Sequence, residues 1–550
     1  GDSLIELRFA VLNGRRRAAP RAGVPRWLRA IVERGLAVDP QERWPSMAAL
    51  LEAVELGRRR ARRRRLGAVV SVLGLAVVGG WAFEQHSTAR DLDRRVEACA
   101  LESHGLDERW NDEARRRIEA AVAASASPLA ADGWPLLREG IDRVVADWSA
   151  ARGRLCTEAE VDRTRPRDEA DEGRHCLDEQ AEVLVGFLGA LERVEGQDLD
   201  RAFTVLGQLT PAGVCLDAGL LAQRPALPED ERERERAASL RAAIARYDGE
   251  FLGDAGLDGA KALLAEAEEL GYPPLIAEAA MRVSRASLRS GDFTAAASHG
   301  ERAFLLAGGQ ANDALAIDAA AMLGQIAYEQ AEHETGARWV AIGRMLAERS
   351  PVELSFPEIH LAQSSAAVAL GRGALAEAHD GYLETLAGYR RWLPAEHVEI
   401  GKVLMGDCIA ESKRGRQVQA EQACKQGLAI IDRSLPRLHA NRALALNNAA
   451  VMYLDAGEVE PALPLLRECL EIYVATRGAD HPDVGLAHHN IGIALLDGGH
   501  PADSLPEFEA ALDNWTERLR EDHPMFAYPL TGKGRALVEL GRSAEAVAPL

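Results

Sequence analysis

Gly373, Gly415, Gly457, Gly499 and Gly541 fall 42 residues apart, and no other feature restricts the fold of this 550-residue chain so tightly. Five residues after each comes a small residue: Ala378, Ala420, Ala462, Ser504 and Ala546. Seven residues before the last four glycines stand Cys408, Ala450, Gly492 and Gly534. His397, His439, His481 and His523 keep the same interval. A fixed period of this length marks stacked repeats, in which each unit buries its apolar face only against its neighbours. The spacing predicts helix–turn–helix units, with the glycine ending the first helix and supplying the turn. The small residues on either side of the turn let the two helices approach closely. Leu446, Tyr453, Leu466 and Cys469 are the predicted core of one unit, and Leu495, Phe508 and Ala511 of the next.

At Asp480-His481-Pro482 and Asp522-His523-Pro524 the aspartate is expected to cap a helix and the proline to occupy its first turn. Equivalent histidines on stacked units lie about 10 Å apart, a helix-packing distance. They are therefore expected to support structure rather than to share a metal ion.

The units resemble tetratricopeptide repeats in their 42-residue, kinesin-light-chain-like form. The resemblance is carried by Leu446-Asn447-Asn448-Ala449, Gly457, Ala462 and Gly478-Ala479-Asp480-His481-Pro482. Earlier units are degenerate: Gly291-Asp292-Phe293 with Ala296 keeps the pattern, while the unit near Ala331 lacks the glycine. A solenoid over 236–550 is expected, beginning near Ala237 and clearest over 360–550. Leu550 is expected to fall within a helix and the chain to be a fragment. Such repeats offer a concave face lined by their first helices. In the register read here that face includes Met405, Asn447, Val451, His489, Ile493 and Thr531, the candidate peptide-binding residues. The asparagines either clamp a peptide backbone or, like Asn447 and Asn490 in the alternative reading, satisfy neighbouring helices. Cys408 and Cys424 sit on the two helices of one unit, where small-residue packing is favoured over a disulfide.

A second constraint lies at Arg58–Phe83, which reads RRRARRRR and then LGAVVSVLGLAVVGGWAF. The eighteen residues 66–83 carry no charge and span about 27 Å as a helix, close to the hydrocarbon thickness of a bilayer. Such a helix satisfies its own backbone hydrogen bonds, as lipid requires. The arginine block 58–65 is expected to stay cytoplasmic, leaving 1–65 inside and 84–550 outside. Trp81 and Phe83 stand where interfacial aromatics sit. A buried core helix and a signal peptide are the competing readings. The first conflicts with an arginine block beside it, and the second with 65 preceding residues. Small-residue pairs such as Gly67/Ser71 and Ala76/Gly80 mark a possible helix–helix face.

Charge divides along the same line. Residues 1–65 hold 16 Arg against 7 acidic residues, a net +9, and the remainder holds 49 basic against 78 acidic residues, a net −29. An acidic bulk argues against nucleic acid as the main partner.

Residues 84–235 read as an extracytoplasmic helical region. Leu136–Gly153, Gln180–Val194 and Leu199–Leu209 are the expected helices, Ala123–Pro135 a loop and Thr157–Gly173 a solvated turn region. Cys99, Cys156, Cys176 and Cys215 all lie here. An oxidising compartment allows two disulfides in three pairings. The preferred pairing joins Cys156 to Cys176 and Cys99 to Cys215. Free buried cysteines and a metal site at Cys156, His175 and Cys176 are the alternatives.

Residues 1–57 predict three short helices, Ser3–Asn13, Pro25–Leu36 and Met47–Leu56, around Trp27 and Trp44. The segment resembles the end of a protein kinase C-lobe through Gly1-Asp2-Ser3-Leu4-Ile5-Glu6-Leu7, Val24-Pro25-Arg26-Trp27-Leu28 and Asp39-Pro40-Gln41-Glu42-Arg43-Trp44-Pro45-Ser46-Met47. The last stretch is similar to bacterial transmembrane serine/threonine kinases that carry repeats in their outer region. The resemblance implies a structural role for Arg43, pairing with the glutamate of an A-P-E motif. No Gly-rich loop, V-A-I-K, H-R-D, D-F-G or A-P-E sequence occurs here, so no catalytic residue and no metal ligand is assigned. ATP and magnesium are implied only for a kinase core outside this sequence.

The expectation is thus an all-α chain: a kinase C-lobe end, one transmembrane helix in the cytoplasmic membrane, and a tetratricopeptide-repeat α-solenoid. The expected partner is a protein or peptide on the repeats, with homodimerisation one route for a signal. A non-catalytic membrane-anchored repeat scaffold is the alternative.

Overall fold

In the computed structural model the described residues are 3–15, 23–196, 198–250, 255–350, 352–516 and 523–547. They form helices and turns, with no strand among them. The chain divides into two compact units, Gly1–Arg95 and Val96–Leu550.

The first unit holds α1 (Leu4–Leu12), α2 (Arg26–Gly35) and most of α3 (Met47–Ser103). Ser3 caps α1 by accepting from the Glu6 amide at 3.2 Å. Asp39 caps a short 3₁₀ turn at Pro40–Glu42. The Trp44 indole donates to the Ile31 carbonyl at 3.0 Å, and the Arg34 guanidinium lies 4.2 Å from its ring centroid. Arg43 donates from Nε to the Ala37 carbonyl at 2.8 Å, bracing the turn between α2 and α3.

α3 departs from expectation. A helix ending at Leu56, an arginine run and a separate span were predicted, yet one 57-residue helix covers them all. No proline interrupts residues 46–127, and arginine and alanine are good helix formers, so the charged run has no local reason to break the helix. Leu66, Val69, Leu73, Leu75, Val77 and Trp81 are all exposed on it.

The second unit opens with the end of α3, followed by α4 (Asp112–Ala124), α5 (Ala130–Cys156), α6 (Arg167–Leu191), α7 (Asp198–Gln208) and α8 (Ala218–Leu221). Asn111 caps α4 through two amide bonds of 3.0 Å. Ile118, Leu137, Ile141, Leu155, Leu177, Phe187 and Leu191 build a core with no exposure. The expected loop at 123–135 shrinks to five residues, because α5 starts at Ala130 and continues through Pro135. The expected solvated region 157–173 is a short π-helical segment, Thr157–Val161, a turn and then α6, whose start combines Pro166 with Asp168 and Glu169 in the first turn.

The cysteines pair differently from the preferred reading. Cys99 bonds Cys156, and Cys176 bonds Cys215, with Cα separations of 5.4 and 5.5 Å. Because α3 runs on to Ser103, Cys99 reaches the C-terminal end of α5. Cys176 lies inside α6 rather than in a hairpin with Cys156, and it faces the turn Ala212–Leu216. Both cysteines of the metal alternative are therefore committed to separate disulfides.

Among the described residues the repeats follow as eight helix pairs: α9/α10 (Glu231–Gly249, Ala255–Leu270), α11/α12 (Pro273–Arg289, Phe293–Gly309), α13/α14 (Asp313–Glu329, His333–Ala347), α15/α16 (Phe356–Gly371, Leu375–Trp392), α17/α18 (Val398–Lys413, Gln417–Ser434), α19/α20 (Ala440–Asp455, Val459–Arg477), α21/α22 (Pro482–Asp497, Pro501–Thr516) and α23/α24 (Ala527–Glu539, Ser543–Ala546). α9 packs on both α6 and α10, so it joins the stapled region to the solenoid. All five registered glycines have φ between +71° and +79°. The small residues behave as the spacing predicts: Ala378, Ala420, Ala450, Ala462 and Ser504 have no exposure. A Cβ on Gly492 would meet the Phe508 ring at 2.7 Å. Cys408 and Cys424 are joined by a third disulfide, where simple packing had been favoured. The position of Leu550 lies outside the described residues.

Ala331 occupies the turn position that the degenerate unit fills without glycine, at φ +58°. A Cβ in this left-handed region costs about 1 kcal/mol or more. Ala331→Gly is expected to stabilise the protein by about 1 kcal/mol. Urea midpoints of the two proteins check this, and a lower midpoint for the glycine variant contradicts it.

Candidate peptide-binding face

The first helices α11, α13, α15, α17, α19 and α21 are enclosed over much of their circumference. Along one face of α19 the accessible positions include Leu444, Asn448, Val451 and Asp455, and along the same face of α21 Leu486, Asn490, Ile493 and Asp497. Leu444 is 46 % exposed and Tyr528, in the same register on α23, 63 %. On α17 the corresponding residues are Lys402, Gly406 and Ile409. The result is a stripe over α17–α23 of apolar residues interspersed with two amides and with Lys402, Asp455 and Asp497.

The predicted site residues divide on this surface. Val451 and Ile493 lie on the stripe, half-buried. Met405 and Asn447 do not, being 3 % and 6 % exposed. Asn490 Nδ2 donates to Asn447 Oδ1 at 2.7 Å, linking successive repeats, so Asn447 follows the alternative reading. His489 is half-buried between the rings of Phe508 and Tyr528, with centroids 5.9 and 6.0 Å away. Thr531 is exposed, and its hydroxyl donates to the Ala527 carbonyl at 2.7 Å. Of the adjacent pair Asn447 and Asn448, the expected outward residue Asn447 is buried and Asn448 is half-buried. The signal that would have found the stripe is the 42-residue series Leu444, Leu486, Tyr528.

The earlier first helices carry charge in this register. Asp318 accepts from His360 Nδ1 at 2.9 Å and pairs with Arg285. Burial alone would raise the Asp318 carboxyl, but Arg285 and His360 hold it well below the usual carboxylate range. Arg282 Nε donates to Asp248 at 2.9 Å. Burial opposes the Arg282 charge, and Asp248 outweighs it, keeping the guanidinium charged. A further cluster joins α16 to α17: His379 Nδ1 lies 2.6 Å from Asp407 and 3.3 Å from Glu411. Its three ligand-type atoms lie within 4.8 Å of one another. Arg414 hydrogen-bonds Glu411 and Arg416 lies 3.8 Å from it, so the group is balanced as an ion-pair network.

The periodic histidines cap helices. Nδ1 of His397, His439, His481 and His523 accepts from the amide two residues on, at 3.3, 3.0, 3.2 and 3.3 Å. The cap at α21 is therefore His481 rather than Asp480, and Asp522 lies outside the described residues. An imidazole accepting at Nδ1 is neutral there. His439 Nε2 then donates to the Asp200 carbonyl at 3.1 Å, and Asp200 Oδ1 accepts from the Ala440 amide at 2.8 Å. Asp132 accepts from the Arg437 amide at 3.0 Å, and Phe203 stands edge-on to His439. The stapled helices thus dock on the starts of α17 and α19, away from the stripe.

Burial lowers the pKa of His397 and His439, and brings His489 to about 4. The unfolded value is about 6.5, so the unfolded chain binds more protons below it. Stability is complete above about pH 6.5 and falls as pH drops toward 4. With His489 partly exposed, its share is on the order of 2 kcal/mol. Urea midpoints at pH 7.5 and 5.5 should differ in that direction, and His489→Phe should flatten the slope. A midpoint rising on acidification contradicts the argument.

The tetratricopeptide repeat family profile matches residues 441–513, covering α19 to α22. Tetratricopeptide repeats are present. Solved structures are similar over part of the chain. Repeats of a putative kinesin light chain from Podosopora anserina are 21 % identical, covering 35 % of this chain and 91 % of that one at a TM-score of 0.31. A signal transduction ATPase with a tetratricopeptide repeat sensor from Pyrococcus horikoshii is 13 % identical, covering 81 % and 62 % at 0.40. A Rap protein complexed with competence and sporulation factor is 12 % identical, covering 66 % and 97 % at 0.40. No curated protein matches the sequence. As tetratricopeptide repeats, α19–α22 form a scaffold for protein–protein interaction.

Proposed function

We propose that the chain is a membrane-anchored receptor whose repeats bind a peptide or protein ligand along the stripe formed by Ile409, Leu444, Val451, Leu486, Ile493 and Tyr528. The observation that carries this reading is the stripe itself: apolar side chains left accessible on the first helices, with the Asn448 amide beside them. Apolar pockets hold ligand side chains while side-chain amides hold a peptide backbone.

α3 supplies the anchor in this reading, crossing the membrane once over residues 66–83. The arginines keep 1–65 cytoplasmic and leave 84–550 outside, where the three disulfides persist. The Asp39–Met47 resemblance extends the proposal: the chain is the C-terminal part of a serine/threonine kinase, and the missing core binds ATP and magnesium. Ligand on the repeats then reports across α3, through dimerisation or otherwise. The non-catalytic scaffold differs only in what precedes residue 1. Extending the reading frame upstream and assaying phosphate transfer from ATP separates the two.

The ligand-binding claim is tested by peptide-display selection on the full chain in detergent. Enriched sequences with spaced apolar residues, displaced from the Leu444→Glu variant, are expected. Peptides that bind wild type and Leu444→Glu equally would overturn the assignment.

A further inference from the structure

The arginine run offers a surface of unusual shape. Arg58, Arg59, Arg60, Arg62, Arg63, Arg64 and Arg65 all lie within the continuous helix α3 and are exposed. At about 100° per residue they point in nearly every direction around the axis, with the widest gap near 100°. They therefore form a collar, not a stripe. A nucleic-acid duplex or a folded acidic protein approaches from one side and would meet only part of it. A partner contacting all seven must surround the helix.

The collar directly abuts Leu66, the first of the eighteen uncharged residues. No lysine or arginine stands at the other end of the apolar stretch before Arg90. A ring of positive charge at one end of an apolar cylinder matches the headgroup layer of one leaflet. Arginine also holds phosphate oxygens in a fork that lysine cannot match.

We propose that the collar binds anionic phospholipid headgroups of the cytoplasmic leaflet, gathering a ring of acidic lipid around α3. This rests on the membrane reading above. The phosphodiester supplies the contact, and the net negative charge of the lipid supplies the preference over zwitterionic lipid. The contact is electrostatic, so it weakens as salt rises.

The test uses the full chain reconstituted in phosphatidylcholine vesicles containing one-fifth phosphatidylglycerol. Spin-labelled phosphatidylglycerol and phosphatidylcholine report the relative association of each lipid with the protein. Wild type should favour phosphatidylglycerol by about threefold or more at low salt, and less at 0.5 M salt. A variant with all seven arginines changed to glutamine keeps helix propensity and should show no preference. Equal association of both lipids with wild type, or an unchanged preference in the glutamine variant, overturns the proposal. So does tighter binding to a DNA duplex than to the anionic vesicles. Failure of the membrane reading looks different: the chain would leave pure phosphatidylcholine vesicles on an alkaline carbonate wash.

Discussion

Protein lacking the Cys99–Cys156 and Cys176–Cys215 bonds will lose the fold of residues 96–221 well before wild type does. The bonds close stretches of 57 and 39 residues. Releasing loops of that size costs about 4 kcal/mol each, of the order of a whole domain's stability. Arg152 ties α5 to the same place, with its guanidinium 2.8 Å from Glu102 at the end of α3 and 2.8 Å from Asp178 on α6. Those ion pairs alone do not replace a cross-link. Trp148, buried with its indole donating to the Leu177 carbonyl at 2.7 Å, reports the transition by fluorescence. Urea midpoints of wild type and of the Cys99→Ser/Cys156→Ser/Cys176→Ser/Cys215→Ser variant should differ strongly. The solenoid should also weaken, since Asp200 and Asp132 hold the starts of α19 and its preceding turn. Equal midpoints would show that the bonds add nothing.

The second large effect falls on binding. Changing Leu444 and Leu486 together to glutamate places two carboxylates on the stripe where apolar ligand groups would lie. Desolvating them on association should cost roughly 3 kcal/mol, about a hundredfold in affinity for a selected peptide. Leu444 is 46 % exposed, where substitutions are usually mild, whereas Leu486 is half-buried, so Leu444→Glu alone is compared for unchanged folding. Val418→Glu is the control: it adds the same charge at a 74 % exposed position on α18, outside the stripe. Loss of affinity in both proteins would point to general electrostatics instead of the stripe.

What the sequence revealed tracks how local each feature is. Gly457 and Ala462 announced their turn and their close packing because a backbone with positive φ and a crowded helix contact accept few residues. Ala331 shows the limit: the turn persists without glycine, held by the neighbouring repeats, so the degenerate unit looked weaker than it is. Cys99 was paired wrongly because its position depends on α3 continuing to Ser103, which no short-range signal records. Which residues of the first helices stay accessible was legible only in part: Val451 and Ile493 are half-buried, while Met405 and Asn447 are buried. Asn447 and Asn448 are adjacent and chemically identical, and only the enclosure of α19 by its neighbours decides which one meets solvent. The histidine caps were read as structural, yet Asp480 was named where His481 holds the amide.

The receptor reading requires α3 to cross a membrane with the repeats outside. Single cysteines placed at Glu52 and Gln85, both exposed on α3, test this with a membrane-impermeant maleimide in bacterial spheroplasts. The native background is small, since Cys469 is buried with its thiol pushed up to about 12 by burial, and the other cysteines are bonded. Labelling of Gln85→Cys in intact spheroplasts, with Glu52→Cys labelled only after lysis, is the predicted result. Labelling of both only after lysis, with the protein in the soluble fraction, would contradict it.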